Sequence, residues 1–199
     1  MGAISGPPSL LTLTTLAGSF AVVALAEMGD KTQLVALALG LRYRRPWTVL
    51  LGVLLATLAN HALAATLGAA AAARVDERVL GWIVGLGFIV FGVWTLVPDE
   101  AGAAPGRDRW GPLLTTTIVF FFAEMGDKTQ LATVALAARF PSPIVVTAGT
   151  TAGMLAADGL ALFAGARLAA RVPLSVFRRV AAALFFAFGA ASILAAHIG

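Results

Sequence analysis

Long apolar runs alternate with short polar breaks along this chain. Six stretches, at about 15–41, 48–73, 79–97, 112–138, 144–170 and 174–196, are built mainly of Leu, Ala, Val, Ile, Phe and Gly. A hydrocarbon core about 30 Å thick takes roughly 20 residues of α-helix, and each stretch comes close to or exceeds that length. A membrane β-barrel would instead alternate polar and apolar residues along shorter strands. The pattern therefore predicts an all-α integral membrane protein with six transmembrane helices, one transmembrane domain and no soluble domain. A turn-rich polar segment at 98–111, "PDEAGAAPGRDRWG", divides the six runs into three and three.

Composition strengthens this reading. The 199 residues are 59% hydrophobic and 12% charged, with a mean hydropathy of +0.91, well beyond the roughly half-apolar make-up of soluble domains. The basic pI of about 10.7 suggests nucleic acid only until the arginines are located, because they are scattered through short loops instead of forming a patch. Topology explains them. With the N-terminus outside, the inner loops hold Arg42, Arg44, Arg45, Arg107, Arg109, Arg167, Arg171, Arg178 and Arg179, and the outer loops hold only Arg74, Arg78 and Arg139. Positive residues favour the cytoplasmic side, so both termini are expected outside the cytoplasm. Trp47, Trp82, Trp94 and Trp110 fall near predicted helix ends, as interfacial anchors do. No cationic segment precedes the first apolar run, so it is not read as a cleavable signal. The absence of cysteine excludes disulfides, thiol redox chemistry and thiolate metal sites.

The polar exceptions repeat. "AEMGDKTQL" occurs at 26–34 and again at 123–131, so that Glu27 and Glu124 stand 97 positions apart. The same offset pairs Gly52 with Gly149, Gly68 with Gly165, Arg74 with Arg171, Phe91 with Phe188 and Gly92 with Gly189. The chain reads as a duplicated three-helix unit, 1–97 and 112–199, joined by 98–111. Three spans per unit force the second copy to enter the membrane from the opposite side, giving an inverted-topology repeat with a substrate site expected near the midplane. Glu124 lies twelve residues beyond Pro112, about 18 Å into a helix and so at mid-membrane. Residues 112–138 would form a straight helix about 40 Å long, more than the core needs, so tilt or a bend is expected. Gly29 and Gly126 are the natural bend points.

On a continuous helix Glu27 and Asp30 share a face, with Lys31 and Gln33 one turn further on, and Glu124, Asp127, Lys128 and Gln130 repeat the arrangement. If the halves face each other, four carboxylates and two glutamines converge. Such an oxygen-only set suits hard divalent cations such as Ca²⁺, Mn²⁺ or Mg²⁺. Each motif has two acids and one lysine, so the pair carries a formal −2 that one divalent ion cancels. Protons compete with the metal for the same oxygens, which is the physical basis of antiport. The plainer reading is that Glu27 with Lys31, and Glu124 with Lys128, are neutralising i,i+4 pairs; it leaves Asp30 and Asp127 unexplained. Asp158, and His61 at the equivalent position of the first unit, are candidates for a proton relay or for buried packing polars. Met28 and Met125 read as core filling. The spacings of Gly81 with Gly85 and Gly149 with Gly153 read as close helix packing.

Twin "EMGDKT" strings, at 27–32 and 124–129 on the first and fourth of six predicted helices, resemble the E-x-G-D-[KR]-[ST] motifs of the Gdt family of divalent cation transporters. That family includes the Golgi manganese and calcium transporter and bacterial manganese exporters. The similarity runs over essentially the whole chain. It implies Mn²⁺ or Ca²⁺ as transported substrate and exchange against protons, with no cofactor and no enzymatic reaction. It also implies Glu27, Asp30, Glu124 and Asp127 as the cation-site acids, flanked by Thr32, Gln33, Thr129 and Gln130. The expected partners are a divalent metal ion, protons and the lipid bilayer, with no nucleic acid, and the expected setting is a bacterial inner membrane with export from the cytoplasm. Three other readings compete. An exporter of a small organic solute could share the architecture, but would not need four acids. An intramembrane aspartyl protease with Asp30 and Asp127 as its dyad is disfavoured by the adjacent lysines. A passive channel is disfavoured by the tight hold of four carboxylates on a divalent ion.

Overall fold

A computed structural model describes residues 8–97, 110–169 and 174–198. The described residues form eight helices: α1 (Pro8–Ala26), α2 (Lys31–Tyr43), α3 (Pro46–Ala72), α4 (Glu77–Leu96), α5 (Gly111–Glu124), α6 (Lys128–Arg139), α7 (Pro143–Ala169) and α8 (Leu174–Ile198). Most of the connecting segment 98–111, including Arg107 and Arg109, lies outside the described residues, as does Arg171; the side chain of Arg167 is likewise not described. The second, third, fifth and sixth apolar stretches each form one helix. The first and fourth do not. Each breaks in two within its motif, and the axes of α1 and α2 differ by 77°. Among the described residues four helices are long and apolar enough to cross a membrane, and a fifth span results if α1 and α2 count as one. At 14 residues α5 is only about 21 Å long and does not cross by itself.

The breaks follow from local chemistry. Gly29 and Gly126 adopt φ of 84° and 80°, a left-handed region that glycine enters without a Cβ penalty. Asp30 and Asp127 follow with extended backbones at the N-cap positions of α2 and α6, and Asp30 Oδ2 accepts from Thr32 N at 3.5 Å. Three residues further on, Gln33 Oε1 accepts from Gly29 N at 2.8 Å and Gln130 Oε1 accepts from Gly126 N at 2.7 Å. An N-cap Asp with Gln at the third helical position is a variant of the capping box. It ends one helix and starts the next within four residues, where the sequence reading expected only a bend.

Large apolar side chains cover the exterior, and polar ones are buried among the apolar residues of the core. Leu51, Leu55, Leu63, Ile83, Val90 and Phe122 face outward, whereas Thr57, Asn60, His61, Thr133 and Asp158 are fully buried. Such an apolar exterior fits lipid as the surrounding solvent. α4 packs most extensively on α8, and α1 on α7, with α3 gathering α5, α6 and α7 about it. Glycines set the close approaches, as their spacing predicted. A Cβ on Gly149 would lie 2.7 Å from Leu16 O and 2.9 Å from Ser19 Cβ, and one on Gly153 would lie 2.6 Å from Phe20 O. On α4 and α8, Gly85 and Gly189 meet each other's carbonyl oxygens at 2.9 and 2.8 Å by the same construction. Gly149→Leu is expected to destabilise the protein by about 1–3 kcal/mol, because the clash is with backbone that cannot step aside. A thermal melt in detergent matching the wild type would refute that packing.

Candidate cation site

The four motif acids occupy the two helix breaks. Glu27 follows the last residue of α1 and Glu124 ends α5, while Asp30 and Asp127 open α2 and α6. All four are buried. Carboxylate oxygens of Glu27, Asp30 and Glu124 lie within 4.8 Å of one another. Oxygens bound to one ion can be separated by at most twice the metal–oxygen distance, about 4.6–5.2 Å for Ca²⁺. The three acids are therefore close enough to share a cation. Asp127 stands outside this group.

Both aspartates are paired with lysines. Lys31 Nζ lies 3.1 Å from Asp127 Oδ1, and Lys128 Nζ pairs with Asp30 Oδ1. The motifs thus neutralise each other across the interface. Pairing within a motif, Glu27 with Lys31 and Glu124 with Lys128, is not what forms. An i,i+4 pair needs an unbroken helix, and the turn at each glycine removes it. Each glutamate is instead contacted by the threonine of its own motif: Thr32 Oγ1 donates to Glu27 Oε2 at 3.0 Å and Thr129 Oγ1 to Glu124 Oε2 at 3.2 Å. Glu27 Oε1 and Glu124 Oε1 are buried without a hydrogen-bond partner among the described residues. With two acid–lysine pairs formally neutral, the glutamates keep two negative charges, which match one divalent ion or two protons.

The glutamines do not converge on the carboxylates. Besides capping the breaks, Gln33 Nε2 donates to Ala157 O on α7 at 2.7 Å, and Gln130 Nε2 reaches Asn60 Oδ1 on α3 at 3.5 Å. They clamp the broken helices to the long ones. Asn60, which precedes His61 in the chain, also donates to Phe121 O at 2.9 Å. His61 and Asp158 are fully buried on α3 and α7, and neither has a hydrogen-bond partner for its side chain among the described residues.

Comparison with known proteins agrees with this chemistry. The family described as "Divalent cation/proton antiporter GDT1" matches residues 15–103 and 112–198. The chain belongs to this family. It is 42% identical over 186 residues to a Vibrio cholerae protein named "Putative manganese exporter", covering 92% of this chain and 93% of that one. A GDT1-like protein of Synechocystis, sll0615, is 27% identical, with 90% of this chain and 97% of that protein aligned. GDT1-like protein 5 of Arabidopsis thaliana is 29% identical, with 88% of this chain and 93% of that protein aligned. No solved structure matches the chain. Membership of GDT1 makes the chain a membrane transporter of the divalent cation/proton antiporter class, and nothing in the comparisons favours the organic-solute reading.

Proposed function

We propose that this chain exports a divalent cation, Mn²⁺ or Ca²⁺, across a bacterial inner membrane in exchange for protons, and that Glu27, Asp30 and Glu124 hold the cation. The observation that carries this reading is the meeting of those three buried carboxylates within 4.8 Å, contributed by both copies of the motif. The oxygen donors suit hard cations, and the name of the Vibrio relative supports manganese. Asp127 enters the site when Lys31 releases it, and Thr32 and Thr129 hold the glutamates in place. Positive-inside loops support the orientation, with both termini outside the cytoplasm.

Alternating access follows if residues 1–97 and 112–199 are inverted repeats joined by 98–111, each broken helix pair serving as one of six spans. Several exchanged contacts support the repeat. Gly52 faces Leu113 and Thr116 as Gly149 faces Leu16 and Ser19, each at the offset of 97. Gln33 reaches residue 157 as Gln130 reaches residue 60, and the two lysine–aspartate pairs exchange in the same way. Phe88 stacks on Phe185, its own counterpart, at 6.0 Å between ring centroids. Equivalent groups also differ in exposure. The Lys31 side chain is 31% exposed against 3% for Lys128, as expected when one side of an alternating site is open and the other closed.

The test is flux in proteoliposomes with an imposed pH gradient. Metal uptake with reciprocal proton efflux, abolished by a protonophore, is the expected result. If Mn²⁺ and Ca²⁺ enter at the rate of empty liposomes, or if uptake ignores the gradient, the proposal fails.

A further inference from the structure

We propose that Asp158 is a further cation-binding carboxylate, a station beside Asp30 that the divalent ion occupies on its way to or from the Glu27, Asp30 and Glu124 cluster. This inference deepens the function proposed above and rests on it. Asp158 lies within an apolar span of α7 and exposes none of its surface. Both of its oxygens are buried without a hydrogen-bond partner among the described residues. A carboxylate in that condition is costly, and an intramembrane acid of this kind marks an ion or proton path by default.

Its placement identifies the path. Gln33 Nε2 donates to Ala157 O at 2.7 Å, which ties the residue before Asp158 to the first turn of α2, the helix that Asp30 caps. Asp158 thus stands on the turn of α7 that packs against the start of α2, where Asp30 is placed. It stands outside the tight group of three, so the ion meets it as a neighbouring position and not as a fourth ligand of the same sphere. Each lysine of the site forms an ion pair with another acid, Lys31 with Asp127 and Lys128 with Asp30. A divalent cation supplies the positive charge that a third glutamate-like acid calls for. The equivalent position on α3 is His61, equally buried and with both ring nitrogens unpartnered among the described residues. A neutral imidazole brings no negative charge, so this station exists on the α7 side alone. Its oxygen chemistry selects the same hard divalent cations as the cluster.

The experiment compares wild type, Asp158→Asn and Asp158→Glu as full-length protein. Initial rates of Mn²⁺ and Ca²⁺ uptake are measured against metal concentration in liposomes, and the Mn²⁺-induced rise in Tm is measured in detergent. Asp158→Asn is expected to raise KM for both metals about tenfold or more, as loss of groups around a metal site does. Its Mn²⁺-induced Tm shift should shrink while its metal-free Tm stays near wild type, and Asp158→Glu should recover most of the affinity. An unchanged KM with a full Mn²⁺ shift in Asp158→Asn overturns the inference and leaves the cluster standing. A lowered metal-free Tm that Asp158→Glu does not rescue makes Asp158 structural and also overturns it. If wild type moves neither metal and gains no Tm from Mn²⁺, the transport reading itself falls, and this inference with it.

Discussion

Glu124→Gln is expected to abolish metal transport, with a loss of at least about 100-fold in kcat/KM, and Glu27→Gln is expected to match it. Groups that merely support metal ligands cost 10–100-fold when removed, and these glutamates are argued to touch the ion itself. Each is fully buried and keeps one oxygen unpartnered inside a cluster where three carboxylates lie within 4.8 Å. Glutamine is almost isosteric, so the threonine contact survives: Thr32 Oγ1 and Thr129 Oγ1 can donate to the amide oxygen as they do to the carboxylate. Only charge and one donor oxygen are lost. Removing one of two unpaired negative charges leaves a bound divalent ion with an excess of one positive charge in a low-dielectric interior, where such an imbalance is heavily penalised.

Binding can be separated from turnover by the melting temperature. A ligand present at 100 times its Kd stabilises the folded state by about 2.7 kcal/mol. Wild type should therefore gain several degrees from Mn²⁺, and either glutamine variant almost none, while the metal-free melts coincide. A Glu124→Gln protein that transports at the wild-type rate, or that retains the full metal-induced shift, would remove the cluster from the mechanism.

The long apolar helices, the repeated motif and its acids were legible in the sequence because hydropathy and identity are local properties. What the sequence reading lost was the course of the backbone through the motif. It treated 26–34 and 123–131 as bent but continuous helix, and on such a helix Glu27 faces Lys31 and the glutamines follow the acids. The signal for a break was present in "GDKTQ": a glycine able to adopt positive φ, an Asp able to cap, and a Gln three residues later. Read as a capping box, that string ends one helix and starts another, and the inward convergence of the glutamines gives way to a capping role. The crossed lysine–aspartate pairs are harder to foresee. They join residues 96 and 98 positions apart, and only the packing of one half on the other decides which acid each lysine meets.

Those crossed pairs carry the other large effect. Lys128→Met is expected to destabilise the protein by about 3–5 kcal/mol, the usual cost of breaking a buried ion pair by removing one member. Both partners are buried, with side-chain exposures of 3% for Lys128 and 0% for Asp30, and the carboxylate would lose this counter-ion where water cannot replace it. Lys31→Met removes the equivalent pair, but Lys31 is 31% exposed, so solvent takes up part of the charge and the cost should be smaller. The difference between the two melts thus reports how unequally the two pairs are shielded from solvent. Lys128→Met combined with Asp30→Asn should recover most of the stability, because asparagine caps a helix about as well as aspartate and no unpaired charge remains. It should not recover transport, because Asp30 belongs to the carboxylate cluster. Equal destabilisation by the two lysine variants would contradict the asymmetry of the site. Restored transport in the double variant would show that the Asp30 carboxylate serves only to neutralise Lys128.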